Sequence, residues 1–219
     1  MRFFFKMGLH EHPGSVLEVG CGNGNNLMLF GEYDWNVVGI DIDPNSLSNA
    51  EANFSMACLP KSSFRFIQHD LTLGLPGSLQ GPFDAILFPS SLYYIPRNSA
   101  IQVLQDSQRL AKPCTSFYLR MRGLRDHRYH RGEEIETNTF RLAIRETGEY
   151  GLLNTFYREH ELLDMVRSHL GADPEDVKIL HVDYDNIQND VLVSNSDIVL
   201  WGRLRPQQAN NDSFEDHSL

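Results

Sequence analysis

The stretch SVLEVGCGNGNNL, Ser15 to Leu27, constrains the fold more than any other part of the chain. Val16, Leu17 and Val19 form a short apolar run bounded by glycine, the pattern of a buried strand in a parallel sheet. From Asn25 onward, Leu27, Met28, Phe30 and Tyr33 recur at helical spacing, and Gly24 with Asn25 or Asn26 forms the entry to that helix. A strand, a glycine turn and a helix in succession leave backbone N–H groups and a helix N-terminus facing a ligand. Spacing narrows the ligand. A dinucleotide fingerprint needs glycine at its first, third and sixth places, and the sixth place here is Asn25. A phosphate loop needs Gly-Lys and then Ser or Thr, and none follows.

Further along, Asn36 to Ile42 is a second apolar run, followed by Asp43-Pro44, an N-cap with proline at the first helical place, and a helix expected to reach about Cys58. Phe64 to Asp70 reads as a third strand, Leu71 to Pro82 as loop, and Phe83 to Phe88 as a fourth strand. Ile101, Leu104, Gln108 and Ala111 mark a helix ended by Lys112-Pro113, and Thr115 to Met121 is a fifth strand. Strand and helix alternate throughout, which predicts an α/β fold: a doubly wound, mostly parallel sheet with helices on both faces. The alternation then breaks. Residues from about Gly123 to Thr139 are polar and too long for an ordinary connection, so they read as an insertion with its own role or as a mobile segment. Phe140 to Ile144 and Leu152 to Tyr157 suit a hairpin, and Glu159 to Leu170 suits a helix stopped by Gly171. Val177 to Tyr184 and Asp197 to Leu204 close the domain. One domain is therefore expected over residues 1–204, with a substrate-side insertion at about 123–157 and a polar, disordered tail at 205–219.

Composition excludes several classes of function. A net charge of −10 argues against gripping extended nucleic acid through its phosphates and favours a small-molecule substrate. Cys21, Cys58 and Cys114 are widely spaced and contain no Cys-x-x-Cys pair, which fits a reduced, cytoplasmic compartment and offers no metal site. The opening MRFFFKMGLHEHPG is too short in its apolar part for a secretory signal, and no run is long enough to span a membrane. Oligomeric state is left open.

Three acids stand at positions that the glycine turn alone does not explain. Asp41 ends the second run and can accept both hydroxyls of a ribose; Asp70 ends the third run and can accept an exocyclic amine. Glu18 lies inside the first strand, where an unpaired charge would be expensive, so it needs a partner. Glu18-x-Gly20-x-Gly22-x-Gly24, followed by Asp41 and Asp70 in order, resembles the class I (Rossmann-like) S-adenosylmethionine-dependent methyltransferases over about Ser15 to Met121. The resemblance implies that Gly20, Gly22, Gly24 and Asn25 cradle S-adenosyl-L-methionine, that Asp41 takes its ribose, and that Asp70 takes the adenine amine between apolar walls from Ile42 and Leu71. It further implies that Glu18 orders the glycine turn and meets the amino-acid end of the cofactor through water or backbone, that Pro89 borders the site, and that the last two strands form an antiparallel pair. Family members often carry a lid helix before the first strand. Only fourteen residues precede it here, so either the lid is reduced or the chain is incomplete.

The acceptor is less determined. Enzymes of the resembled fold that methylate nucleobase amines show Asn or Asp, then Pro-Pro and an aromatic; only Pro89 of that pattern is present, and Pro113-Cys114 reads as structural rather than as a nucleophile. Candidate bases are His127, His130 and Tyr93, and candidate acceptor contacts are Tyr94, Arg122, Arg125, Arg128 and Tyr129. The basic patch could instead pair with Glu133, Glu134 and Glu136. The expected activity is methyl transfer to O or N of a small-molecule or sugar-type acceptor. The alternatives are a tRNA or protein methyltransferase docking through the arginine-rich insertion, and a non-catalytic cofactor-binding partner subunit.

Overall fold

The computed structural model describes residues 2–205, so the tail expected at 205–219 lies, but for Arg205, outside the described residues. Five parallel strands carry the first half of the chain: β1 (Ser15–Val19), β2 (Asn36–Asp41), β3 (Phe64–Gln68), β4 (Phe83–Phe88) and β5 (Ala111–Gly123). They lie in the order β3-β2-β1-β4-β5. The order reverses between β1 and β4, and a crevice at the carboxyl ends of such a pair is where open α/β sheets bind ligands.

Alternation along the strands decides which helix each residue meets. Leu17 and Val19 of β1 face a core completed by α4 (Arg97–Arg109) and α5 (Glu159–Met165). Val16 faces a second core with α1 (Arg2–Lys6), α2 (Asn25–Glu32) and α3 (Pro44–Met56). Glu18 shares the parity of Val16 and therefore points toward α2. The start of α3 is set as the sequence predicts: the Asp43 carboxylate accepts from the backbone N–H groups of Asn45 and Ser46, both at 3.1 Å, with Pro44 in the first helical position. The short α1 buries Phe4 against Phe30, Tyr33 and Trp35, so a five-residue helix is packed on the sheet ahead of β1.

Three differences from expectation have physical causes. First, β5 begins at Ala111, directly after α4, and Pro113-Cys114 sits in an irregularity of its pairing with β4, with Cys114 at φ 63°. Second, the polar segment after Gly123 is not wholly loop. After turns at Leu124–Arg131 it forms β6 (Gly132–Glu136), which pairs with β7 (Thr139–Leu142), which in turn pairs with β8 (Leu153–Tyr157). The sequence GEEIE hides its strand because most of it is exposed and no apolar alternation is required. Third, the closing strands are longer than their apolar runs: β9 (Lys178–Gln188) and β10 (Val191–Arg203) meet at Asn189-Asp190, both at positive φ, as a two-residue hairpin turn demands.

β10 runs antiparallel to both β5 and β9. Arg122 pairs with Asp197 of β10 and also with Phe156 of β8, so β8 occupies the edge of β5 that β4 has vacated. The added β6-β7-β8 ladder therefore stands over the carboxyl end of β4. Among the described residues no helix is long and apolar enough to cross a membrane.

Candidate functional site

The cradle is built at the ends of β1 and β2. Gly20 has φ 77°, and a Cβ there would lie 2.2 Å from the Cβ of Ser91, whose hydroxyl donates to the Val19 carbonyl at 2.5 Å. The turn is thus pressed against the segment after β4, and only glycine fits. Gly22, at φ 51°, has no atom within 4 Å of its would-be Cβ and faces open space. Its N–H donates to Asp41 Oδ2 at 2.8 Å, and the Asp43 N–H donates to Oδ1 at 3.0 Å. Each carboxylate oxygen has a further lone pair, so Asp41 can fix the turn and still accept two hydroxyls. Gly24 closes the turn as the residue preceding α2, and Asn25 opens the helix on the exposed side.

Glu18 is 1 % exposed. Asn26 donates to its Oε1 at 2.7 Å, while Oε2 is buried without a partner. Burial pushes its carboxyl up to about 8, against the Asn26 hydrogen bond and with help from the negative field of Asp41. The unpaired carboxyl oxygen beneath the glycine turn is left open to a polar partner. Asn26 was not foreseen; the need of Glu18 for a partner was the only signal that pointed to it.

At the end of β3, Asp70 accepts from the Thr72 N–H at 2.9 Å and the Thr72 hydroxyl at 2.8 Å, both on Oδ1. These bonds, the backbone one foremost, hold its carboxyl below the usual range. Ile42 is 61 % exposed beside this edge, whereas Leu71 turns into the core and Leu73 is the leucine left on the surface. Pro89, just past β4, lines a cavity with Asn25 and Asn26.

Residues 16–114 match the family model described as a methyltransferase domain. That segment is a methyltransferase domain, and the fold around it is the Rossmann-like one of S-adenosylmethionine-dependent methyltransferases. No curated protein matches it. Among solved structures, an S-adenosylmethionine-dependent methyltransferase from Methanosarcina mazei is 19 % identical with a TM-score of 0.67, covering 87 % of this chain and 93 % of its own. The N-terminal domain of EvdMO1, with S-adenosylhomocysteine bound, is 17 % identical with a TM-score of 0.66, covering 93 % and 80 %. The 1,6-didemethyltoxoflavin-N1-methyltransferase of Burkholderia thailandensis, bound to that molecule and S-adenosylhomocysteine, is 16 % identical with a TM-score of 0.60, covering 93 % and 75 %. At these identities the structures establish a shared fold.

The cradle fits S-adenosylmethionine. The unpartnered Glu18 Oε2, the open side of Gly22 and the spare lone pairs of Asp41 are what a polar, hydroxylated ligand would complete. Bound there, S-adenosylmethionine supplies a methyl group already activated on a sulfonium.

Beyond the carboxyl end of β4, the protein buries a charged network that the sequence did not reveal. Glu149, from the loop between β7 and β8, accepts from Arg122 Nη2 at 2.6 Å, from the Tyr94 hydroxyl at 2.5 Å and from Arg128 Nε. Arg128 Nη1 also meets Asp126 at 3.0 Å and Asn195 at 3.2 Å. The Arg122 guanidinium lies 4.4 Å from the Tyr93 ring centre, and its Nη1 is buried without a partner. Burial pushes the Glu149 carboxyl up, but Arg122, Tyr94 and Arg128 outweigh it and hold the group ionised. Burial, with Tyr93 and Glu149 beside it, pushes the Tyr94 phenol up, so it donates rather than acting as a base.

The remaining sequence candidates scatter. Arg125 pairs with Asp183 at 2.6 Å on the surface. Tyr129 packs between Phe140 and Phe156 and donates to Asn138, with the exposed His130 against it at 3.9 Å between ring centres. His127 is half-buried, with Nε2 at 3.1 Å from Glu146 Oε1. The basic patch does not pair with Glu133, Glu134 or Glu136: its partners are Asp126, Glu149 and Asp183.

Proposed function

We propose that the chain transfers a methyl group from S-adenosylmethionine to oxygen or nitrogen of a small-molecule or sugar-type acceptor. The observation that carries this reading is the buried, half-satisfied Glu18 under the glycine turn, with Asp41 one strand away. The acceptor approaches the carboxyl end of β4, where positioning and exclusion of water are most of what a sulfonium methyl donor requires of the protein. Of the three candidate bases, His127 has a carboxylate, Glu146, placed to orient its ring. Tyr93 is buried against Arg122, and His130 packs on aromatic rings outside the network.

A small acceptor is favoured over tRNA or protein because Arg122 and Arg128 are buried and neutralised within the chain, leaving little of the arginine cluster to dock a macromolecule. The toxoflavin-type neighbour, bound to its small acceptor, supports the same direction. The test is incubation of the protein with methyl-labelled S-adenosylmethionine and, separately, a cell extract's small-molecule fraction, its tRNA and its protein. Label entering the small-molecule fraction supports the reading. Label confined to tRNA or protein overturns it, and tight cofactor binding with no labelled product favours a non-catalytic subunit.

A further inference from the structure

The face of the sheet that carries α1 is thinly covered beyond β4. On β5 the residues Tyr118, Arg120 and Arg122 share that face, and their direct partners on β10 are Trp201, Val199 and Asp197. Between this surface and α1 lies a cavity of about 370 Å³, within the range of small-molecule sites. Asn25 and Asn26 at the start of α2 and Pro89 and Ser90 after β4 are among the residues that line it. Those residues stand at the β1–β4 reversal, beside Glu18, whereas Asp41 and Asp70 do not line the cavity. The space therefore reaches from the cradle across β5 and β10 to β9, on the side away from Asp41 and Asp70.

Its walls have a definite chemistry. Phe3, Tyr118 and Trp201 supply aromatic surface. Arg2, Lys6 and Arg120 also line it, in a chain whose net charge is −10. Arg120 is spent on Asp197, at 2.5 Å, and on the Tyr184 hydroxyl. Arg2 and Lys6 form no ion pair among the described residues, and the Lys6 ammonium lies 5.5 Å from the Trp201 ring centre. Flat aromatic walls with two cations at the α1 side that have no ion-pair partner among the described residues suit a flat ligand bearing one negative group.

We infer that this cavity is the acceptor site and that it takes a planar aromatic carboxylate, with the ring between Phe3, Tyr118 and Trp201 and the carboxylate toward Arg2 and Lys6. The inference rests on the methyltransferase reading above for the word acceptor, but binding itself is testable without turnover.

The experiment is calorimetric titration of the whole protein with 2-naphthoate and with the neutral 2-naphthamide, and of the same samples with S-adenosylhomocysteine. Naphthoate is expected to bind about tenfold more tightly than the amide, a difference that corresponds to about 1.4 kcal/mol. The double variant R2Q/K6Q, which changes only exposed side chains of α1, is expected to lower naphthoate affinity to that of the amide and to leave S-adenosylhomocysteine binding unchanged. Trp201→Leu is expected to weaken both naphthalenes alike. Equal affinity for acid and amide, no heat from naphthoate at millimolar concentration, or indifference to R2Q/K6Q would each overturn the inference. Binding of S-adenosylhomocysteine without naphthoate removes the acceptor site alone; binding of naphthoate without S-adenosylhomocysteine removes the cofactor reading and keeps the site.

Discussion

Glu18 is one residue whose cost and use can be separated. Its pKa in the folded protein is raised from 4.5 to about 8, so the folded state holds a proton that the unfolded chain would release. That contribution to stability is present in full below pH 4.5 and is lost as pH rises through about 8. Glu18→Gln, which cannot ionise, should flatten the fall in melting temperature between about pH 5 and about pH 9. A variant with the same pH slope as the parent would show that Glu18 does not titrate in this window. Asp41→Ala removes the acceptor that fixes Gly22 and that the ribose would use, and should weaken cofactor binding by about 1.5–3 kcal/mol, as read by calorimetry on folded protein. Both residues were legible in the sequence, since a charge inside an apolar strand and an acid closing the next strand admit few explanations. Asn26 and Ser91 were not, because what makes them matter is contact with β1 across the turn.

Among elements, the β7–β8 loop stands out because its Glu149 carboxylate gathers two buried arginines. Glu149→Ala would leave Arg122 with no carboxylate and Arg128 with Asp126 alone. Stranding a buried charge costs about 3–5 kcal/mol, to be measured by urea unfolding. Arg125→Ala, which breaks the exposed pair with Asp183, should cost about 1 kcal/mol or less. A reversed order of these two effects would mean that the buried network is not what anchors the insertion. The pairing was illegible for a specific reason: Glu149 meets partners 27 and 21 residues earlier in the chain, on the far side of β6 and β7. The same holds for β6, whose exposed residues carry no period. By contrast α3 was legible to its first residue, because Asp43 and Pro44 act locally.

Across the whole molecule, the alternation of apolar runs and amphipathic helices specified the parallel half, and the glycine turn placed the site at the strand-order reversal. Beyond Gly123 the fold is antiparallel and its contacts are long-range, so the sequence pattern could give strands but not their neighbours. The central claim is that this architecture holds S-adenosylmethionine at the ends of β1, β2 and β3. The most direct measurement is calorimetric titration of the protein with S-adenosylmethionine and S-adenosylhomocysteine, with NAD as control. The account predicts micromolar or tighter binding of the first two and none of NAD. Binding of NAD, or no binding of either adenosyl compound by protein shown to be folded, would contradict it.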